Sequence, residues 1–583
     1  MFTTRPELLG TFGVAASTHW LATATAMAAL EEGGNAFDAA VAAGFALQVV
    51  EPHLNGPGGD MPALIWSAGE ERLRVVCGQG PAPAAATIDA FRTLGLDIVP
   101  GTGLLACCVP GAVDAWLSIA RDYGTMDLAR LLRPAIEFAA AGYPLVGHAV
   151  ATIASVESLF REEWPSSAAV YLPGGRLPEA GTLFRNPALA RTWTRLVAEA
   201  GGGSREDQID AARRIFREGF IAEMIVDFAA GNEVMDSSGR RHHGLLSGED
   251  MANWQASYEE PLTYDYGRYR VAKAGPWSQA PVFLQQLALL KGFDLEGMDP
   301  LGADFVHVVV ECAKLAFADR EAFYGDPAHV EVPMERLLSD DYNDARRRLV
   351  DADASRAIRP GAVEGFASTV RVGGRRGPVP GTGEPTITLS GGDTCHLDVI
   401  DRWGNMVSAT PSGGWLQSSP VIPELGFCLG SRMQMFWLEE GLPGSLAPGK
   451  RPRTTLSPSF AFRDGEPWMA FGTPGGDGQD QWSLIFFLRH VHHGMNLQAA
   501  IDAPTFQSHH FPSSFYPRPA DPGRLAVEER LPTETVATLS RRGHEVEVIG
   551  PWSIGRISAC TREDGLLKAA ANPRLMQGYA AGR

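Results

Sequence analysis

Cysteine is sparse and poorly arranged for any staple: seven residues, Cys77, Cys107, Cys108, Cys312, Cys395, Cys428 and Cys560, lie scattered over 583 positions. The count is odd and no CxxC occurs, so neither a disulfide framework nor a zinc site is indicated. Long apolar runs are missing too. The nearest, from Ala36 to Val50, is broken by Asp38 and Gln48 and reads as a buried helix rather than a membrane span. The first residues, Met1-Phe2-Thr3-Thr4-Arg5-Pro6-Glu7, lack the cationic-then-apolar order of a secretory leader, so a cytoplasmic protein is expected. Positive charge is in deficit: the formal net charge of −18 repels nucleic-acid phosphates and anionic membrane surfaces. The Gly-rich stretch Gly472-Thr473-Pro474-Gly475-Gly476-Asp477-Gly478 does not end in Gly-Lys-Ser/Thr, which excludes a phosphate loop of the Walker type.

What is present suffices for a large core without staples, in two ordinary domains or one large one. Leu21 to Glu32 has helical spacing and stops at Gly33-Gly34; Asn35 or Asp38 starts a second helix that ends at Glu51-Pro52. The spacing predicts strands at Ala63–Trp66 and Leu73–Cys77. Residues 110–350 read mainly helical, most clearly Asp304 to Tyr324. From Asp351 to Asp393 the chain turns Gly/Pro-rich and is expected to be exposed and mobile. After Thr394 it becomes strand-rich, with a hairpin through Trp403-Gly404-Asn405 and another joining Ser459–Phe462 to Trp468–Phe471.

The chemistry centres on Gly392-Asp393-Thr394-Cys395-His396. A threonine at a strand start usually carries no chemistry. Cutting the Asp393–Thr394 bond would change that, because Thr394 would then hold a nucleophilic hydroxyl and a free α-amine as general base. Gly475 and Gly476 are candidates to present backbone N–H groups to a developing oxyanion. Arg453, Thr454 and Thr455 combine a cation with two hydroxyls, a set able to bind a carboxylate, although, taken alone, a capped turn is the stronger reading of this run. Histidines cluster at His490-Val491-His492-His493 and His509-His510, but such spacings do not converge on one point of a helix, so no metal is expected. Cys395 and His396 are strand neighbours that point to opposite faces, which argues against a thiol dyad.

These pieces together resemble the γ-glutamyltranspeptidase family of N-terminal nucleophile hydrolases. The matching runs span nearly the whole chain: Gly33-Gly34-Asn35-Ala36-Phe37-Asp38-Ala39-Ala40, Val49-Val50-Glu51-Pro52-His53, Val109-Pro110-Gly111, Tyr123-Gly124-Thr125-Met126, Tyr324-Gly325-Asp326-Pro327, Lys450-Arg451-Pro452 and Pro474-Gly475-Gly476. The resemblance implies an α/β fold, a four-layer αββα sandwich. It also implies self-cleavage before Thr394 into a large piece (1–393) and a small piece (394–583). The two pieces would stay together as a heterodimer within one αββα unit, with further dimerisation open, and no cofactor would be needed. It places the nucleophile at Thr394, a supporting hydroxyl at Ser412 and the oxyanion donors at Gly475 and Gly476. Thr454 and Thr455 stand where the family has a serine pair.

The glutamyl-recognition residues differ. The family's Arg-Glu-x-Ala-Pro run reads Gln79-Gly80-Pro81-Ala82-Pro83, so its arginine has become Gln79. The Asn-Asn-x-Met-Asp-Asp-Phe run reads Gly430-Ser431-Arg432-Met433-Gln434-Met435-Phe436; both acids are lost and Arg432 appears. The asparagine two residues beyond the second hydroxyl has become Gly414. Family branches without this set include cephalosporin acylases, an oxamate-type amidohydrolase and proteins of alkylproline antibiotic pathways that release an oxalyl unit. The expectation is hydrolysis of a small carboxylated amide with an acidic, non-glutamyl acyl group, anchored by Arg432, Arg453 or the Thr454–Thr455 hydroxyls. The alternatives are an authentic glutathione hydrolase or transferase, and a relative that never matures and has a binding role.

Overall fold

The computed structural model describes residues 2–374 and 394–583; the Asp393 half of the expected cleavage bond lies outside them. Two seven-stranded antiparallel sheets dominate the described residues. In the first, the strand order is Tyr579–Gly582, Gly13–Ser17, Leu397–Asp401, Met406–Ala409, Met61–Ser67, Arg72–Gly78, Ser257–Glu259. In the second it is Leu8–Gly10, Leu566–Ala571, Ser558–Glu563, Glu466–Gly472, Ser459–Arg463, Tyr269–Lys273, Leu262–Tyr266. Chain on both sides of residue 393 interleaves in each sheet. Val399, for example, pairs with Ala15 on one side and Val407 on the other.

The sheets stack on small and medium side chains: Val14, Ala16, Leu64 and Ile400 meet Ala272, Phe460, Ala470 and Ala569. Small residues let two pleated faces approach closely, as interior close packing requires. Helices Trp20–Glu31, Ala36–Val50, Ala112–Tyr123 and Leu128–Ala141 cover the outer face of the first sheet in a core that includes Phe45, Val50, Leu397 and Val399. Helices Pro281–Leu290, Ala303–Phe323 and Gln479–His493 cover the second, around Phe283, Phe317, Phe471 and Phe487. The result is the αββα sandwich. No helix of the described residues is long and apolar enough to cross a membrane.

Several sequence runs prove to be joints of this frame. Asn35 and Asp38 form a capping box on Ala36–Val50. Asp38 also accepts from Thr125 and from the Met126 N–H, tying the Tyr123–Met126 run to that helix. Arg451 reaches Asp326 at 2.7 Å and Glu259 at 2.6 Å, joining the Lys450–Pro452 and Tyr324–Pro327 runs. The 110–350 stretch is mainly helical but also supplies the strands Ser257–Glu259, Leu262–Tyr266 and Tyr269–Lys273. In Leu262–Tyr266 polar Thr263 and Asp265 face solvent between apolar neighbours, a two-residue period too short to stand out beside long helices. Residues 351–374 form no helix or strand, yet they are tied down: the Gly361 N–H reaches Asp319, Arg359 reaches Glu311, and the Gly373 N–H reaches the Arg518 carbonyl.

Candidate active site

Thr394 is fully buried just before the strand Leu397–Asp401 and bridges to Ser412. Side chains alternate along a strand. Cys395, Leu397 and Val399 pack into the helix-side core, leaving Thr394, His396 and Asp398 on the face toward the other sheet. The alternation shows in the contacts. The Cys395 thiol donates to Glu51 at 2.9 Å, whereas His396 lies 2.9 Å from the Thr410 hydroxyl and 3.0 Å from Asp398. Ser558 of the second sheet donates to Asp398 at 2.8 Å. Burial pushes the Cys395 thiol well up, so it holds its proton and is no thiolate nucleophile.

The Thr394 hydroxyl donates to Ser412 Oγ at 3.2 Å, and Arg432 Nη2 donates to the same oxygen at 2.8 Å. Arg432 also forks onto Asp60 through Nε at 2.8 Å and Nη2 at 2.9 Å. Asp60 in turn exchanges backbone hydrogen bonds with Ser412 in both directions. Burial pushes the Asp60 carboxyl up, with Arg432 opposing it. Arg432 is buried, lies over the Trp415 ring, and keeps its Nη1 without a partner among the described residues. Trp415, Met435 and Phe515 form one apolar cluster beside it.

Gly475 and Gly476 have φ of 126° and 52°, a region that favours glycine. A Cβ on Gly475 would meet the Trp482 ring at 2.1 Å, and one on Gly476 would meet Phe515 at 2.8 Å. Gln279 Nε2 donates to the Gly476 carbonyl at 3.1 Å, and the Gln279 N–H donates to the Thr454 carbonyl at 2.8 Å. One residue thus links the glycine loop to the Thr454–Thr455 segment. The Thr455 hydroxyl is buried without a partner among the described residues.

The remaining candidates are placed differently. Gln79 donates to the Gly80 carbonyl, and its Oε1 is buried without a partner among the described residues. Gln434 spends its amide on Gly101, Ser431 and the Tyr516 N–H. Arg453 is held by Glu321 at 2.5 Å and Ser514 at 3.0 Å. Asp60, Trp415 and Phe515 were not singled out in the sequence. A charged residue directly after Gly58-Gly59 was the available signal for Asp60.

The histidine runs have local partners: His490 meets the Met495 carbonyl and His492 the Tyr266 hydroxyl. His307, Glu311 and His544 are close enough to share a metal ion. Lys314 and Arg359 both donate to Glu311, so its charge is already compensated by two cations.

The family model for Gamma-glutamyltranspeptidase matches residues 22–582. Among curated proteins, the "Oxamate amidohydrolase proenzyme" of Klebsiella pneumoniae is 31% identical over 98% of this chain and 99% of its own. The "Glutathione hydrolase-like YwrD proenzyme" of Bacillus subtilis is 30% identical over 97% and 98%. Among solved structures, the one described as "Structure of LmbA2991HD" matches with a TM-score of 0.95 and 56% identity over 100% of both chains. The two stacked sheets, the Thr394–Ser412 pair at their junction and a family match over almost the whole length lead to one conclusion: the chain belongs to the γ-glutamyltranspeptidase family of N-terminal nucleophile hydrolases.

Proposed function

We propose that the chain cuts itself before Thr394, giving pieces 1–393 and 394–583 that remain one αββα unit, and then hydrolyses an amide or similar acyl bond of a small acidic substrate. In this reading the new Thr394 α-amine takes the proton of its own hydroxyl, directly or through water, and the oxygen attacks the acyl carbon. The Gly475 and Gly476 N–H groups receive the oxyanion. The leaving amine departs with a proton. Water then attacks the threonyl ester, releasing the acid and restoring the hydroxyl. Ser412 holds the hydroxyl in line.

The observation that carries the substrate class is Arg432. Its Nη1 is a buried cationic donor without a partner among the described residues, and its Nη2 is separated from Thr394 by only one hydroxyl, that of Ser412. A carboxylate bound at Nη1 would anchor an acidic acyl group on the Thr394 side of the pocket, and oxamate's acyl group carries such a carboxylate without an ammonium. Gln79 and Gln434 offer no charge to a zwitterionic head. Seven buried free cysteines suit a reducing, cytoplasmic setting. The deciding experiment compares kcat/KM for oxamate, succinyl, glutaryl and γ-glutamyl amides. Selective γ-glutamyl cleavage would favour a glutathione hydrolase instead.

A further inference from the structure

Behind the glycine loop, buried charges do not balance. Arg320, Arg453 and Arg518 surround two carboxylates, Glu321 and Asp477. Glu321 takes Arg320 at 2.7 Å, Arg453 at 2.5 Å and Arg518 at 3.7 Å; Asp477 takes Arg320 at 2.5 Å. All three arginines are at most 5% exposed. Arg371, at the edge of the cluster, is paired with Glu439 and adds no net charge. Among the described residues one guanidinium charge is left over in a place that water reaches poorly, and an uncompensated buried charge is strongly unfavourable.

A narrow cavity of ≈ 10 Å³ lies against this excess, lined by Glu321, Tyr324, Met435, Trp437, Arg453 and Arg518. That is room for about one water-sized particle. One of its lining residues, Arg518, keeps a buried donor, Nε, without a partner among the described residues. Arg518 is stacked at 3.7 Å on the Trp437 ring and donates to the Met435 carbonyl, so its guanidinium is fixed in place. Surplus positive charge, an idle guanidinium donor and a one-particle space describe a receptor for a small monovalent anion. The crowding shows in the titration as well: burial lowers Arg518 to about 9, with Arg453 and Arg320 adding to the fall.

We infer that this cavity is an anion site, built for a chloride-sized ion or for one carboxylate edge of a substrate's leaving group. It reaches the chemistry through Asp477, the residue after Gly476. Ser514 donates to Asp477 through both its N–H and its hydroxyl, and Arg453 donates to Ser514. An anion that neutralises Arg453 and Arg518 keeps Asp477 and the loop before it in register.

The test uses the whole purified protein in chloride, bromide and gluconate at matched ionic strength. A free-ion site predicts a Tm that rises with halide but not with gluconate, and a bromide anomalous peak beside Arg518. It also predicts halide activation that is equal for carboxylated and uncharged leaving groups. A leaving-group site predicts instead that halide raises KM only for carboxylated leaving groups. Arg518→Lys, which keeps the charge but loses Nε, should weaken the halide midpoint about tenfold, the worth of one charge-assisted hydrogen bond. The proposal is overturned if no bromide peak forms, halide and gluconate act alike, and leaving-group charge does not alter KM.

Discussion

The hydroxyl of Thr394 points at that of Ser412, 3.2 Å away. Ser412 is itself fixed from the far side by Arg432 and through its backbone by Asp60. The threonine oxygen therefore has a set direction before any bond is cut, and the first prediction follows.

Purified protein should separate under denaturing conditions into two pieces, the smaller beginning Thr-Cys-His. Thr394→Ala should stay intact and inactive. Intact-mass measurement with N-terminal sequencing checks this. A permanently whole chain that still turns over substrate would remove Thr394 from the mechanism.

Gly476→Val should lose about 10²–10³ in kcat, the usual cost of one displaced oxyanion donor. The new side chain would meet Phe515 at 2.8 Å on a backbone with φ of 52°, so the loop must shift. Circular dichroism separates this loss from misfolding. Unchanged kcat in a folded variant would make the loop purely structural.

Arg432→Met should raise KM for acidic acyl amides by 10-fold or more, about 1.4 kcal/mol or above, and should free Asp60 to act as a repelling charge. Asp60→Asn should do the opposite, tightening anionic ligands and product inhibition by leaving Arg432 less neutralised. Gln79→Arg with Gln434→Asp should raise γ-glutamyl turnover if these positions face the acyl group. Steady-state kinetics on the four amides reads all three outcomes.

Stability should fall on acidification. Burial lowers His19 to about 3, against an ordinary histidine near 6.5. The unfolded chain therefore binds the proton first, so this contribution is complete above pH 6.5 and is lost as pH falls toward 3. Each such group adds a slope of about 1.4 kcal/mol per pH unit within that window. Urea midpoints at pH 7 and pH 5 should differ less in His19→Asn than in the parent. Equal slopes would show that His19 is hydrated.

Much of the frame was legible because it is written locally. Asn35 and Asp38 sit at capping positions, Gly33 closes the preceding helix, and Met61–Ser67 with Arg72–Gly78 contains the two apolar runs that read as strands. Tyr269–Lys273 was harder to read: it forms a hairpin with Leu262–Tyr266 through Gly267, but that short pair lies inside a stretch dominated by helices, and its other partner, Ser459–Arg463, is far along the chain. Within the site, Thr394 and the glycines were readable because unusual chemistry needs unusual residues. Asp60 was not, since its meaning depends on Arg432, 372 positions away. The packing of Trp415 and Phe515 likewise exists only in three dimensions.

The interleaving of the first sheet has a consequence for molecularity. Leu397–Asp401 is hydrogen-bonded to Gly13–Ser17 on one edge and to Met406–Ala409 on the other. Before a cut at Thr394, forming that strand order is a first-order event within one polymer. Afterwards it requires two polymers to meet, so renaturation becomes second order and its half-time lengthens on dilution, whereas the uncut Thr394→Ala chain renatures at a rate independent of concentration.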